Sequence, residues 1–161
     1  MANTNPAPGT LRKVIEGQAG LNEYFGLPGE QIDAIAALGS RLYEQGKSRD
    51  AATLFEGLIA LDPKNHYGYA GLGAIALREE KLDEAINYLR RAVEVNPKDP
   101  TVLANLGEAL LRQAKFNEAA TQFEQAMKLD PQERDPGANR ARAILQGMSV
   151  LVHEVQRVGV A

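Results

Sequence analysis

The chain has 161 residues, enough for one domain with its own core and too few for two. It contains no cysteine, which removes disulfides, thiolate nucleophiles and Cys-type zinc sites together and fits a reducing compartment. A net charge of -3 supplies no positive field for a nucleic acid, and the apolar runs are too short to cross a membrane; the expectation is a cytoplasmic protein that neither binds nucleic acid nor inserts into lipid.

Residues 1–9 are polar with two prolines, lack the basic start and apolar run of a secretory signal, and are expected to be disordered. From Thr10 to Leu27, the residues Leu11, Val14, Ile15, Leu21 and Phe25 make an imperfect apolar stripe, interrupted by Gly17 and Gly20 and closed by Pro28-Gly29. The pattern predicts a helical segment over 10–31, made of one or two short helices.

Beyond it the sequence repeats itself. Pro63, Pro97 and Pro131 stand 34 residues apart, and the pairs Leu38-Gly39, Leu72-Gly73 and Leu106-Gly107 keep the same period. So do Ala51, Ala85 and Ala119, and the ring or branched positions Phe55, Leu89 and Phe123. Each unit predicts two helices, the first around its Leu-Gly pair and the second ending at Leu61-Asp62-Pro63, Val95-Asn96-Pro97 or Leu129-Asp130-Pro131, because proline disfavours helical geometry in the residue before it. Gly39, Gly73 and Gly107 fall inside helices, where each costs roughly 1 kcal/mol relative to alanine. Pairing them with Ala51, Ala85 and Ala119 gives that cost a reason, since small residues let two helices approach closely. After the third unit, Asp135-Pro136 repeats the helix-start chemistry of Asp99-Pro100, an N-cap aspartate before a proline at the first helical position. Ala141, Ile144, Leu145, Met148, Leu151, Val152 and Val155 then follow helical spacing, predicting a closing helix within 134–161 that covers the edge of the third unit, with Val158 and Val160 fraying at its end.

These columns resemble the tetratricopeptide repeat, a 34-residue helical hairpin, with registers 32–65, 66–99 and 100–133. The resemblance implies an all-α fold of three tandem hairpins in a right-handed superhelix, flanked by the N-terminal helical segment and the C-terminal capping helix. The family's fourth position holds Ile35, Tyr69 and Leu103, and its loop glycine is present as Gly46 but replaced by Glu80 and Ala114.

Catalytic chemistry is not expected. The two histidines, His66 and His153, have no serine motif beside them and read as solvent-facing helical residues. Gly71-Leu72-Gly73-Ala74 lies mid-helix, whereas a dinucleotide loop needs its glycines after a strand. Asp83-Glu84 and Glu79-Glu80 read as solvated turn charges, and Arg140, Arg142 and Arg90-Arg91 as isolated surface cations, so neither a cofactor nor a metal is implied.

Binding is the alternative to catalysis. In stacked hairpins the first helices line the concave side. The second, fifth, ninth, twelfth and thirteenth positions give Asp33, Ala36, Ser40, Tyr43 and Glu44, then Tyr67, Ala70, Ala74, Leu77 and Arg78, then Thr101, Ala104, Glu108, Leu111 and Arg112. Ala36, Ala70 and Ala104 leave room over the floor, while Tyr43, Tyr67, Leu77 and Leu111 offer apolar walls, a groove for an extended peptide with apolar anchors. The competing expectation is that these side chains pack against the N-terminal segment. Modules of this repeat that grip acidic chaperone tails use Lys, Asn and Arg at early positions, where this chain has Ala36, Ser40, Thr101 and Asn105; such a clamp is not expected.

The full layout also resembles the class II chaperones of bacterial type III secretion. The more specific pieces are Leu38 to Ala51 with Tyr43, Gly46-Lys47 and Asp50-Ala51, then Leu61-Asp62, Gly71 to Ala74, Lys98, Pro100, Glu108, Leu110-Leu111 and Arg140-Ala141 through Leu145. The resemblance implies a bacterial cytoplasmic chaperone that holds an extended segment of a hydrophobic translocator in the groove, with Tyr43 as a peptide contact and Tyr67, Tyr69 and Ala70 beside it. A general adaptor for assembling a protein complex is the alternative. The N-terminal stripe and the valine-rich closing helix are the candidate surfaces for a homodimer.

Overall fold

The computed structural model describes residues 9–159. The expectation of disorder over 1–9 therefore lies, apart from Gly9, outside the described residues, as does the expected fraying of Val160. Among the described residues there are nine helices and no strand: α1 (Thr10–Ile15), α2 (Leu21–Phe25), α3 (Gly29–Glu44), α4 (Ser48–Leu61), α5 (His66–Arg78), α6 (Leu82–Val95), α7 (Pro100–Arg112), α8 (Phe116–Leu129) and α9 (Pro136–Arg157). Helices α3 to α8 form three antiparallel hairpins that stack in chain order, and α9 packs on both helices of the third. The second helices stop at Leu61, Val95 and Leu129, each just before its Asp-Pro or Asn-Pro pair. Asp99 caps α7 by accepting from the Thr101 and Val102 amides, and Asp135 caps α9 by accepting from Ala138.

The helix glycines have a more particular role than contact with the alanine column. A Cβ on Gly39 would lie 2.9 Å from the Phe55 ring, on Gly73 2.6 Å from Leu89 Cγ, and on Gly107 2.6 Å from the Phe123 ring. Each glycine makes room for the bulky column of the facing helix, and Phe55, Leu89 and Phe123 are buried as a result. Phe55 is held from a second side as well, because a Cβ on Gly71 would come within 2.4 Å of its ring. The first and second repeats therefore share that ring. Ala51, Ala85 and Ala119 are each 0% exposed.

The turn between paired helices keeps one backbone shape whichever residue occupies it. Gly46, Glu80 and Ala114 all adopt left-handed φ values, of 77, 60 and 58°. That conformation costs a non-glycine residue roughly 1–2 kcal/mol, so the family's glycine preference at this position persists here as strain in two of three turns. Ala114→Gly is expected to stabilise the chain by about 1 kcal/mol, raising Tm by roughly 2–4 °C in a calorimetric scan, while Gly46→Ala does the reverse.

One expectation about the flanks needs correction, that of the closing helix. The apolar stripe of the N-terminal segment is largely open: Leu11, Ile15 and Phe25 are exposed and Val14 and Leu21 half-buried, while Leu27 packs on the core and Ala19 and Gly20 are buried, Gly20 against the backbone of Leu61 and Asp62. Helices of six and five residues are too short to present a continuous face. The closing helix covers the third hairpin only through its first half. Ala141 is buried and Ile144 and Leu145 pack on the core, but Leu151, Val152 and Val155 stand 67, 58 and 49% exposed. Beyond Met148 the helix has outrun the hairpin it covers.

Candidate peptide-binding groove

The first helices α3, α5 and α7 lie side by side and expose one common face, extended at one end by the start of α9. Three hollows run along it. The largest, about 310 Å³, is lined by Ser40, Tyr43 and Glu44 from α3, Tyr67, Ala70, Gly71 and Ala74 from α5, Thr101, Val102 and Asn105 from α7, and by Phe55, Asp99 and Arg140. A second, about 140 Å³, continues it past Leu77, Arg78, Glu108 and Arg112, and a third, about 220 Å³, opens between Asp33, Ala36, Ala37, Ser40 and Tyr67. Of the repeat helices, α1 and α2 contact only α4, and no described residue before Asp33 lines any of the three hollows.

The structure separates the residues predicted from the period into three groups. Ser40, Tyr43, Glu44, Tyr67, Ala70, Ala74, Arg78, Thr101, Glu108 and Arg112 line the hollows with at least partial exposure. Ala36 and Leu77 also border them but are buried, forming floor rather than wall. Ala104 and Leu111 border none of the three hollows: Ala104 is 0% exposed and Leu111 packs against the same core cluster, which Ala141 and Ile144 of α9 complete. Covering by α9 thus removes the last of the three expected floor alanines. Tyr69 takes the packing role of its fourth position in the repeat and not a place beside the peptide. Its hydroxyl donates to the Pro63 carbonyl at 3.1 Å and its ring packs on the core, away from the hollows.

Tyr43 is fixed rather than free. Its hydroxyl donates to the Ala74 carbonyl at 3.3 Å, and the Arg78 guanidinium lies 3.3 Å from its ring centroid while donating to the Tyr43 carbonyl at 2.8 Å. Tyr67, by contrast, is 51% exposed and offers a ring to whatever enters. Arg140 and Arg142, expected as isolated surface cations, are neither isolated nor alike. Arg142 points inward and donates to the Asp130 carbonyl at the end of α8, to Asn139 at 2.7 Å, and lies 3.6 Å from the Asp130 carboxylate. Arg140 reaches into the groove, where it donates to the buried Asn105 side chain and lies 3.8 Å from Glu108. Beside Ala37, Phe55, Gly71, Asp99 and Val102, the chosen positions missed two polar side chains of α7 and α9, Asn105 and Arg140. The first sits 34 residues after Gly71, a signal within the period; the second belongs to the closing helix, outside the repeats.

His66 is not solvent-facing either. Its Nε2 lies 2.8 Å from Asp99 Oδ2 and its Nδ1 3.2 Å from the Ala92 carbonyl oxygen. Both neighbours are acceptors, so only the imidazolium satisfies them together. The Asp99 hydrogen bond raises the His66 pKa above its ordinary 6.5, outweighing burial, with the Ala92 carbonyl adding to it. Burial pushes Asp99 up, but the hydrogen bonds from His66 and from the Val102 and Thr101 amides prevail and hold its carboxyl below the usual range. A raised histidine pKa means that folding favours the protonated form: the stabilisation is complete below 6.5 and fades as pH rises through the raised value. For Asp99 the sign is opposite, and its contribution is lost only in acid. His66→Gln is expected to abolish the part of the stability decline that belongs to this pair as pH rises above 6.5, measured by urea melts at a series of pH values.

A sequence profile of the tetratricopeptide repeat matches residues 36–102, and a second profile of the same repeat matches 76–145. Together they span more than half of the chain, and the protein belongs to the tetratricopeptide repeat family. No curated protein sequence matches it. Among solved structures, a type III secretion complex from Aeromonas hydrophila is similar with a TM-score of 0.74 at 21% identity, covering 91% of this chain and 98% of that one. The type III secretion translocator chaperone SycD of Yersinia enterocolitica follows at 0.68 and 22%, covering 80% and 98%. PcrH of Pseudomonas aeruginosa, in a complex with the chaperone binding region of PopB, gives 0.63 at 25% identity, covering 73% and 97%. What these likenesses share with this chain is the fold.

Proposed function

We propose that this protein is a chaperone of the translocator type, which holds an extended apolar segment of a secreted client in the groove of its three repeats before export. The observation that carries the reading is the row of open hollows along α3, α5 and α7, left uncovered by α1 and α2 and floored by alanine and glycine beneath an exposed Tyr67. The PcrH complex supports it, because a chaperone of this fold is there joined to the chaperone binding region of a translocator. The binding unit is the span 32–133, with 10–31 and 134–161 as flanks. The work is binding alone, in the bacterial cytoplasm, with no catalytic step and no cofactor. The described residues hold no group of three or more His, Asp or Glu arranged for a metal ion, and none of their helices is long and apolar enough to cross a membrane. Self-association through the exposed second half of α9 belongs to the same reading.

Co-expression with the hydrophobic translocators encoded in the same genome tests it. A soluble complex with at least one of them is expected, and the absence of any such complex would overturn the chaperone reading. Binding that leaves client solubility unchanged would favour an adaptor instead.

A further inference from the structure

The groove is electrostatically divided along its length. Toward the N-terminal ends of the first helices the apolar Tyr67, Ala70 and Val102 stand beside two carboxylates, the exposed Asp33 and the His66-paired Asp99. Toward their C-terminal ends the hollow of about 140 Å³ gathers three guanidinium groups, Arg78, Arg112 and Arg140, against the single carboxylate of Glu108. Arg112 binds Glu108 at 2.5 Å. Arg140 lies 3.8 Å from the same carboxylate while donating to the neutral amide of Asn105, and Arg78 is engaged by a backbone carbonyl and a ring face, so the one carboxylate of Glu108 is shared by Arg112 and Arg140 and leaves the hollow with an excess of positive charge. A basic hollow in a chain of net charge -3 is a local exception.

Helix electrostatics explains part of it. Arg78 and Arg112 occupy the last turns of α5 and α7, where a cation is favoured by the helix dipole. Arg140 has no such support, since it stands in the early part of α9, near the end that favours anions. It is nonetheless 45% exposed and directed into the groove beside the other two.

On the groove reading above, we infer that the bound segment carries an acidic side chain beside its apolar anchors, and that Arg112 and Arg140 select for it at this hollow. Guanidinium forks pair with a carboxylate through two parallel N–H donors, an arrangement that the uncharged isostere cannot reproduce.

A phage-displayed library of random dodecapeptides, selected in parallel on the wild-type chain, on Arg112→Gln and on Arg140→Gln, tests this. Wild-type selections are expected to enrich apolar anchors together with Asp or Glu, the acidic residues rising about threefold over the unselected library, and both variants to keep the anchors while losing the acidic excess. A selected peptide should bind the wild type about tenfold tighter than its Glu→Gln counterpart in fluorescence polarisation, and this gap should close on Arg140→Gln. Because Arg140 touches the buried Asn105, Arg112→Gln, on a side chain that reaches solvent, serves where Arg140→Gln fails to fold. Anchors without an acidic excess, or an excess that persists in the variants, would overturn the inference and leave the groove standing. No enrichment on the wild type would overturn the groove reading and the inference with it.

Discussion

Phe123→Ala is expected to lower the stability of the chain by about 3–5 kcal/mol, out of the roughly 5–15 kcal/mol that a domain of this kind possesses. The ring is 0% exposed, belongs to the larger core cluster, and fills the space left by Gly107 on the facing helix. Its removal leaves a cavity that α7 and α9, both tied to the same cluster, cannot close by a local shift. The glycine supplies a sharper test than the truncation. In the wild-type chain Gly107→Ala puts a Cβ 2.6 Å from the ring, an overpacking that costs about 1–3 kcal/mol and exceeds the gain of about 1 kcal/mol in helix propensity. In the Phe123→Ala background the obstacle is gone and the propensity gain remains. Gly107→Ala should then change sign, from destabilising to stabilising, in urea melts followed by circular dichroism. An equal cost in both backgrounds would mean that the glycine serves something other than the ring.

Ala74→Phe should abolish peptide capture while leaving the fold intact. Ala74 is half-buried at the junction of the two hollows that hold Tyr43 and Arg140, and its side chain faces space that the chain itself leaves empty. A benzyl group there occupies the path of a bound segment. Affinity for a dodecapeptide selected on the wild type should fall on the order of 100-fold, a loss typical of a central interface position. The melting curve should move by no more than about 0.5 kcal/mol in stability. Ala104→Phe is the control, because that alanine is fully enclosed and the same substitution there must break the core. Equal damage to folding at both positions would remove Ala74 from the groove.

The contrast between these two alanines shows how far the sequence could be read. The repeat columns are local statements: a proline fixes where a helix ends, an aspartate before proline fixes where the next begins, and a glycine opposite a ring fixes how closely two helices lie. Those features placed the hairpins. The face presented by each position depends on its neighbour in space, and a periodic rule assumes that every repeat has the same neighbour. Repeat three does not. Its neighbour is α9, whose Asp135-Pro136 start falls two residues out of phase with the 34-residue period and whose Gly137 packs directly on the Thr101 backbone. The period therefore counts Ala104 and Leu111 into a groove that α9 closes, and it carries no sign that Arg140, outside the repeats, enters that groove. His66 failed for a related reason. Its partners lie 26 and 33 residues away, and nothing in its immediate sequence marks them.

That histidine has a consequence for how the molecule comes apart. His66 stands in the first turn of α5, and the carboxylate it holds is the N-cap of α7, which in turn receives the Thr101 and Val102 amides. Fraying the start of the second hairpin strips the third of the partner that keeps its cap charged and oriented. Linear arrays of repeats are usually free to unzip from an end, one nearest-neighbour contact at a time. Here a clasp joins two successive entry points, so the amide protons at the beginnings of α5 and α7 should exchange with solvent through one shared opening, with one free energy, and not as two independent events.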